Sequence, residues 1–458
     1  MLRAALSCGE QTQTKQVQRM MIATPTRCHG VATAVRARQT PGAPRAAYRA
    51  SALLRAVLGA PALLFCAALA GCTPSATPAP SAPSNSAAAI HDRTLTLDTH
   101  LDTPEHFDRP GWSIADRHSF ATDMSSVDLP RMRDGGLDGG FFVIYTPQGP
   151  LTGAGYADAL AFARRRADAI ARVVAANSGA MAFATTARQA RAIAATGKRV
   201  VLQSIENSYP LGEDLSLLGE FYRRGVRMAG PVHNGGNQFG DSASGGTARW
   251  GGLSPLGRQW VAEMNRLGMV IDGSHASDAA LDQMLALSTA PIILSHSGVK
   301  SVFDHPRNIT DAQLRALAAK GGVMQVNSVF LGRFNLTPAR SALYDRQDHW
   351  ASMSPADQRQ LAADWAALDQ RETLNNGDFD RFMAALQHCL TVAGVDHCGV
   401  GADWDGGGGV AGMADITQLP RITEALLAAG YSPADISKIW SGNAMRVLSA
   451  AQRAATVH

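Results

Sequence analysis

The sequence predicts an α/β fold, a (β/α)8 TIM-like barrel with a helical insertion before its last strand. Eight short runs rich in β-branched and other apolar residues recur along residues 93–402, and amphipathic helical patterns follow most of them. Runs that are almost continuously apolar indicate parallel strands covered on both faces. Eight such units favour closure into a barrel.

The predicted strands follow these runs in chain order. They are RTLTLD (93–98), GFFVIY (140–145), RVVLQSIE (199–206), VRMAGPV (226–232), MVIDGS (269–274), PIILS (291–295), GVMQVN (322–327) and HCGVGA (397–402). Helices are predicted over residues 157–176, 254–268 and 311–321, where apolar residues have helical spacing. Residues 328–376 interrupt the βα rhythm on the face of the βα loops. We expect either an active-site lid or a solvated helical excursion there.

Composition describes a globular chain with an unevenly charged N-terminal part. Of 458 residues, 46% are hydrophobic and 17% are charged, which is enough apolar material for a large core. Residues 1–55 hold nine basic side chains and one acid, whereas the remainder holds 33 basic and 37 acidic residues. The body of the chain therefore gives no electrostatic reason to expect nucleic acid binding.

Residues 1–72 are predicted to be a leader with a lipobox. An uncharged apolar stretch runs from Ala56 to Cys72 behind Arg55, and it ends in LAGC, which resembles the bacterial signal for lipid attachment to the cysteine. A plain signal peptide cut nearby is the alternative. An Ala/Pro/Ser tether (73–89) and a folded domain (90–458) are expected to follow. The protein is then exported, as a periplasmic or cell-envelope lipoprotein anchored to the membrane through Cys72.

The cysteines of the folded body are few. Cys8, Cys28 and Cys66 belong to the predicted leader, so only Cys389 and Cys398 remain in the barrel. A disulfide between these two residues is the alternative in an oxidising compartment, but two buried thiols are the favoured interpretation. The chain has no CxxC pair, so a cysteine zinc site is excluded.

Histidines and carboxylates follow the predicted strands at the positions that meet at the mouth of a barrel. His100 and Asp102 are two residues apart in LDTHLDTP, so in an extended strand their side chains point to the same side. The others that end strands are Glu206, His233, His275, His296 and Asp403. Catalytic groups sit at this end of the fold, and mixed imidazole and carboxylate sets bind zinc and related divalent ions.

Longer motifs make the pattern specific. They are LDTHLDTP (97–104), SIENS (204–208), GGLSPLGRQWVAEMNRLGMVIDGSHAS (251–277), PIILSHSGVKSVFDHPRNITD (291–311), GVGADWDGG (399–407) and the C-terminal segment 418–448. Together they resemble the renal (membrane) dipeptidase family of zinc peptidases, over about residues 93–450. The resemblance implies a barrel of the metal-dependent hydrolase type and a metallo-exopeptidase that hydrolyses dipeptides, with a D-residue at the C-terminal side as one possible substrate. A homodimer is a further expectation at the level of the family.

The resemblance also implies a ligand set for two Zn2+ ions, and other divalent metals are the alternative. His100 and Asp102 would hold one ion, while His275 and His296 would hold the other. Glu206 would bridge the two ions, and a hydroxide shared between them would be the nucleophile.

Three more residues receive roles from the same resemblance. Asp403 would orient the nucleophile or accept its proton and deliver it to the leaving amine. His233 would stabilise the tetrahedral oxyanion. Arg307 would bind the substrate's C-terminal carboxylate, because a guanidinium grips a carboxylate with two hydrogen bonds. Such a grip would restrict the enzyme to dipeptides.

The sequence departs from the family pattern beside the expected pocket. Asn207 and Tyr209 stand where many relatives have glycines after the bridging glutamate, and we predict that both touch substrate. The segment before and after His233, MAGPVHNGGNQFGDSA, also differs. A second hypothesis therefore stays open, in which the barrel and its metal pocket bind a secreted peptide metabolite or tailor it without hydrolysis.

Overall fold

The computed structural model of the chain describes residues 86–335, 337–347, 353–372 and 376–456. Ten strands are present in these residues. They are β1 (Leu97–Leu101), β2 (Gly139–Tyr145), β3 (Met181–Phe183), β4 (Arg199–Glu206), β5 (Val226–Ala229), β6 (Val270–Ile271), β7 (Ile293–Val299), β8 (Asn308–Ile309), β9 (Val323–Val326) and β10 (Cys398–Val400). Eight of them correspond to the predicted strands. The two additional strands, β3 and β8, were not predicted.

The strands form a parallel barrel. One sheet has the order β1-β2-β4-β5-β6, with β3 paired to β4, and the other has the order β10-β9-β7-β8. Parallel bridges from Asp272 to Ile293 and from Leu101 to Trp404 connect the two sheets on both sides. Because these bridges close the ring of eight strands, the predicted (β/α)8 fold is confirmed.

The helices follow the strands in the expected alternation. They are α1 (Ala87–Arg93), α2 (Phe120–Asp123), α3 (Leu129–Asp134), α4 (Gly153–Ala176), α5 (Ala187–Ala194), α6 (Ser216–Arg223), α7 (Pro255–Leu267), α8 (Asp278–Leu287), α9 (Asp311–Ala319), α10 (Pro338–Gln347), α11 (Pro355–Asp369), α12 (Phe379–Ala393), α13 (Pro420–Ala428), α14 (Pro433–Ser437) and α15 (Asn443–Ala454). Among the described residues, no helix combines the length and the apolar character needed to cross a bilayer.

Side-chain caps fix where the helices begin. Ser254 accepts a hydrogen bond from the Gly257 amide at the start of α7, which has proline at its first position. Ser277 does the same at the start of α8. Each cap satisfies an amide that the first helical turn leaves unpaired. The βα loops that carry the polar residues therefore end at defined points.

The first predicted strand was placed too early. Residues 93–98 were expected to form it, but β1 spans Leu97–Leu101 because α1 occupies the chain up to Arg93. The Ser86 side chain caps α1 by accepting from the Ala89 amide at 3.3 Å. This helix begins three residues before the predicted domain start at Ile90.

The insertion at 328–376 contains α10 and α11. Five buried side chains join the two helices: Leu343, Tyr344, Leu361, Trp365 and Leu368. Met124, at the end of α2, packs against this cluster. The insertion thus lies against the loop that follows β1, on the side of the barrel where the site residues are. Whether it acts as a lid stays a prediction.

The interpretation of the cysteines as free thiols is wrong. Cys389 on α12 and Cys398 at the start of β10 form a disulfide, with 6.0 Å between their Cα atoms. Cys398 lies in the strand predicted over residues 397–402. Their Cα separation falls in the range that a disulfide requires, and this distance cannot be read from the sequence.

Candidate metal centre

The polar residues that follow the predicted strands meet at the carboxyl end of the barrel. His100 and His296 lie within β1 and β7, and Glu206 is the last residue of β4. Seven side chains, each at most 7% exposed, form the centre: His100, Asp102, Glu206, His233, His275, His296 and Asp403. Parallel strands bring them together because their carboxyl ends all open on one face.

The Glu206 carboxylate lies in the middle of this group. Its Oε1 is 2.9 Å from Nε2 of His275 and 3.4 Å from Nε2 of His296. The same oxygen is 3.7 Å from Nε2 of His233, and Oε2 is 3.6 Å from Nε2 of His100. A single carboxylate therefore faces four imidazoles, which is the position a bridging ligand would need.

The other half of the centre surrounds His100. Its Nε2 is 3.3 Å from Oδ2 of Asp102 and 3.9 Å from Oδ1 of Asp403. Both His100 Nε2 and the second oxygen of Asp102 are buried without a hydrogen-bond partner among the described residues. Leaving a buried polar atom unpaired costs about 1–3 kcal/mol, and more for a charged group. A cation bound at this point would satisfy both atoms.

The donor set fits divalent metal ions. Three overlapping groups have ligand atoms within 4.8 Å of one another: His100, Glu206 and His296; Glu206, His233 and His275; His100, Asp102 and Asp403. Imidazole nitrogens mixed with carboxylate oxygens are typical ligands of zinc and related metals. Because the groups share Glu206 and His100, their geometry does not divide the ligands between two ions.

Two residues beside the ligands have shifted pKa values that suit acid and base chemistry. Burial, together with the carboxylates of Asp102 and Glu206, raises the pKa of Asp403 well above its ordinary value. Burial lowers the pKa of His233 to about 4, and the Arg307 cation adds to this shift. A carboxylate with a raised pKa accepts a proton more readily than an ordinary one, while a neutral imidazole can still donate an N–H hydrogen bond.

Arg307 lies behind the histidines with its guanidinium buried. Its Nη2 donates to the His296 carbonyl at 3.0 Å, and its guanidinium carbon lies 5.1 Å from the centre of the Phe330 ring. Burial lowers the pKa of Arg307 to about 10, so the group is still a cation at neutral pH. Its Nε is buried without a hydrogen-bond partner among the described residues.

Left-handed backbone conformations occur at several residues around the centre. Asn207, His275, Asp403 and Asp405 have φ values of 68°, 66°, 70° and 66°. Such values are uncommon for residues with a side chain, and they persist where the surrounding structure fixes them. They turn the chain sharply directly after the strands, and so they help to aim His275 and Asp403 into the centre.

Gly406 is packed against two of the acidic residues. A Cβ atom added at this position would overlap Oδ2 of Asp102 and Oδ1 of Asp403. The close approach of the backbone therefore requires glycine, and it holds the two carboxylates between β1 and the loop after β10.

We expect Gly406→Ala to lower activity and metal content together. The added methyl group must displace Asp102 or Asp403, and overpacking a buried site costs about 1–3 kcal/mol. Elemental analysis and a hydrolysis assay would measure the two effects. Gly153→Ala is the matched control, because a Cβ there meets no atom within 4 Å. Unchanged metal content in the Gly406 variant would contradict this account of the glycine.

Asn207 and Tyr209 are completely buried in the loop after β4. Asn207 accepts hydrogen bonds from the Tyr209 amide at 3.2 Å and the Asn237 side chain at 3.0 Å. The Tyr209 hydroxyl donates to the Pro150 carbonyl at 2.7 Å. The polar atoms of both residues thus bind the protein itself. Their predicted contact with substrate stays a prediction.

Several histidines outside the centre make contacts within the fold. His305 stacks on the Phe330 ring with 4.6 Å between centroids, and His106 Nε2 lies 3.4 Å from Asp405. His349 lies outside the described residues. The rest hydrogen-bond to groups of the fold: His91, His118, His388 and His397.

Sequence reasoning missed three buried residues that touch the centre. The Tyr145 ring meets the His233 ring edge-on at 4.9 Å. Ser295 Oγ lies 2.8 Å from Nδ1 of His296 and donates a hydrogen bond to Asp272. Tyr145 ends β2, and Asp272 and Ser295 both lie near the ends of predicted strands. Considering every polar residue near the end of a predicted strand, as was done for the histidines, would have found all three.

The chain is similar to known dipeptidases. A sequence profile of the family described as Membrane dipeptidase (Peptidase family M19) matches residues 84–458. The protein named Dipeptidase tcpJ from Claviceps purpurea (strain 20.1) is 29% identical over 344 residues, which cover 74% of this chain and 72% of that protein.

Two solved structures are similar in fold and sequence. The probable dipeptidase PvdM from Pseudomonas aeruginosa is 30% identical with a TM-score of 0.69, covering 81% of this chain and 98% of that one. A metallo peptidase from Rhodobacter sphaeroides, liganded with a phosphinate mimic of the dipeptide L-Ala-D-Ala, is 25% identical with a TM-score of 0.61. That match covers 78% of this chain and 99% of the other. Since the family profile spans most of the sequence, the chain belongs to the membrane dipeptidase family, Peptidase family M19, and is a metallo-dipeptidase.

Proposed function

We propose that this protein hydrolyses dipeptides with two zinc ions held at the mouth of the barrel. The observation that supports this most directly is the position of Glu206, whose two carboxylate oxygens face imidazoles on both sides. His100 and Asp102 would hold one ion, and His275 and His296 the other. When bound, the metals supply an activated water for attack on the peptide carbonyl.

The residues around the ligands would carry the remaining steps. Asp403, with its raised pKa, takes the proton of the attacking water and passes it to the leaving amine. The neutral His233 donates a hydrogen bond to the oxygen on which negative charge develops. Both side chains are buried, so water does not compete for these hydrogen bonds.

Arg307 would set the length of the substrate. Its buried guanidinium donates to the His296 carbonyl beside the centre, and a carboxylate bound to it would lie one residue away from the bond that is cleaved. A dipeptide places its free carboxylate at that distance, whereas a longer peptide has an amide there. We also propose that a D-residue is accepted at the C-terminal side, on the analogy of the dipeptide mimic in the Rhodobacter sphaeroides structure.

Removal and return of metal would test the proposal. We expect a chelator to abolish dipeptide cleavage by the purified chain, and two equivalents of Zn2+ to restore it. Activity that survives complete metal removal would refute the metal-dependent mechanism. A chain with two bound ions and no cleavage of any dipeptide would favour the second hypothesis, in which the barrel binds a secreted peptide metabolite or modifies it without hydrolysis.

We further propose that the protein is exported and anchored to the cell envelope through lipid on Cys72. The predicted leader, including Cys72, lies outside the described residues. The disulfide between Cys389 and Cys398 supports export, because such bonds persist mainly in oxidising compartments. A homodimer is proposed on the family resemblance alone, and light scattering of the purified chain would test it.

Cys72→Ala is expected to release the protein from membrane fractions. The change removes the only thiol that the lipobox interpretation uses and leaves the barrel untouched. Fractionation of cells that produce each form would show the difference by immunoblot. If the variant stays with the membranes as the unmodified chain does, the lipid anchor is wrong.

A further inference from the structure

A single buried hydroxyl lies behind two of the metal-facing histidines. Ser295 Oγ is 2.8 Å from Nδ1 of His296 and 3.5 Å from Nδ1 of His100. It also donates a hydrogen bond to Oδ2 of Asp272. Ser295 and Asp272 are 0% and 5% exposed, so water does not compete for these contacts.

Asp272 is itself held in one orientation. Its Oδ1 accepts hydrogen bonds from the backbone amides of Ser274 at 3.0 Å and Ser295 at 2.9 Å. The remaining oxygen, Oδ2, is therefore directed to the Ser295 hydroxyl. The carboxylate has no proton to give, so the hydroxyl hydrogen must point to Asp272.

This direction determines which ring nitrogen of the histidines carries a proton. With its hydrogen committed to Asp272, Ser295 Oγ can only accept from the imidazoles. His296, at 2.8 Å, must then carry its proton on Nδ1, and His100 can bond to the same oxygen, at 3.5 Å, only by donating from Nδ1. In each ring, Nε2 keeps its lone pair, and Nε2 is the atom that faces Glu206.

We propose that Ser295, oriented by Asp272, is a positioning residue that keeps Nε2 of His296 and of His100 ready to hold metal. The two histidines belong to different ions in the proposed function, so one hydroxyl would serve both metal positions. The inference rests on that proposed function. Hydrogen bonds behind metal-binding histidines fix the ring and its proton, and their loss typically costs about 10–100-fold in metal affinity or activity.

Asp272→Asn is the most discriminating test because it changes polarity and not size. The amide oxygen can still accept from the two backbone amides, but the amide nitrogen then donates to Ser295. The Ser295 hydrogen is redirected to Nδ1 of His296, whose proton moves to Nε2 and blocks the metal. We expect Zn2+ to bind about 10–100-fold more weakly, as measured by competition with a chromophoric chelator on the full chain.

Ser295→Ala gives an independent measurement, and Ser297→Ala is its control. Ser297 lies on the same strand and is equally buried, but its hydroxyl contacts Ser274 at 3.4 Å and not the histidines. We expect Ser295→Ala to weaken Zn2+ binding to a similar degree as Asp272→Asn, and Ser297→Ala to leave it within about twofold of the unmodified chain. Thermal unfolding of the zinc-free proteins checks that each variant folds. If Asp272→Asn does not fold, the Zn2+ affinity of Ser295→Ala alone tests the positioning role.

The outcomes separate this inference from the proposed function. If the Ser295 variant binds Zn2+ as tightly as the unmodified chain, or Ser297→Ala weakens binding equally, the positioning role of Ser295 is wrong. The proposed metal site is not contradicted by either result. If the unmodified chain itself binds no Zn2+, both the metal site and the inference fail.

Discussion

Glu206→Gln is expected to abolish dipeptide hydrolysis and to reduce bound zinc below two ions per chain. The substitution keeps the size of the side chain but removes the charge that faces His100, His233, His275 and His296. Loss of a contact behind a metal ligand costs about 10–100-fold. Loss of a bridging ligand should exceed that range, so we expect kcat/KM to fall more than about 100-fold.

The control for this variant lies in the same loop. Glu213 follows β4 by seven residues and is exposed, so Glu213→Gln removes an equal charge away from the centre. Elemental analysis gives the metal content of both proteins, and release of free amino acids gives their rates. Two bound zinc ions and full turnover in Glu206→Gln would show that the Glu206 carboxylate does not bridge the ions.

Arg307→Ala should mainly weaken substrate binding. Removing one partner of a buried, hydrogen-bonded charge pair costs about 2–5 kcal/mol, so we expect kcat/KM to fall by about 30-fold or more. The loss should appear chiefly as a higher KM, because the carboxylate is bound equally in the ground state and the transition state. Metal content should stay at the level of the unmodified chain.

A substrate with an amidated C-terminus supplies the control for Arg307. The amide cannot form the paired hydrogen bonds with the guanidinium, so the unmodified chain and the variant should cleave it at similar low rates. If Arg307→Ala loses as much activity on the amide as on the free dipeptide, the arginine acts on the fold or the metals and not on the carboxylate.

The fold was predictable because its pattern is repeated. Strands such as β2 and β4 are buried along nearly their whole length, and their apolar runs stand out in the sequence. The start of β1 was misplaced because α1 occupies the residues just before it, and a capped helix of seven residues leaves a weak periodic signal. The disulfide was missed because sequence separation does not reveal the distance between two Cα atoms.

The convergence of the candidate ligands was predictable for a topological reason. Parallel strands all deliver their carboxyl ends to one face, so a histidine or carboxylate at each end converges on one point. The residues that orient them were harder to find. Ser295 and Asp272 are ordinary polar residues in the sequence, and only their contacts with His296 and with each other show a role. Gly406 likewise shows its importance only through the two carboxylates packed against it.

We expect the metal centre to cleave the bond one residue away from a carboxylate bound by Arg307. The most direct measurement gives the purified, zinc-loaded chain three substrates: a dipeptide, its C-terminal amide, and the tripeptide made by adding one residue at the C-terminus. We expect rapid release of amino acids from the dipeptide alone. Equal cleavage of all three substrates would contradict the claim.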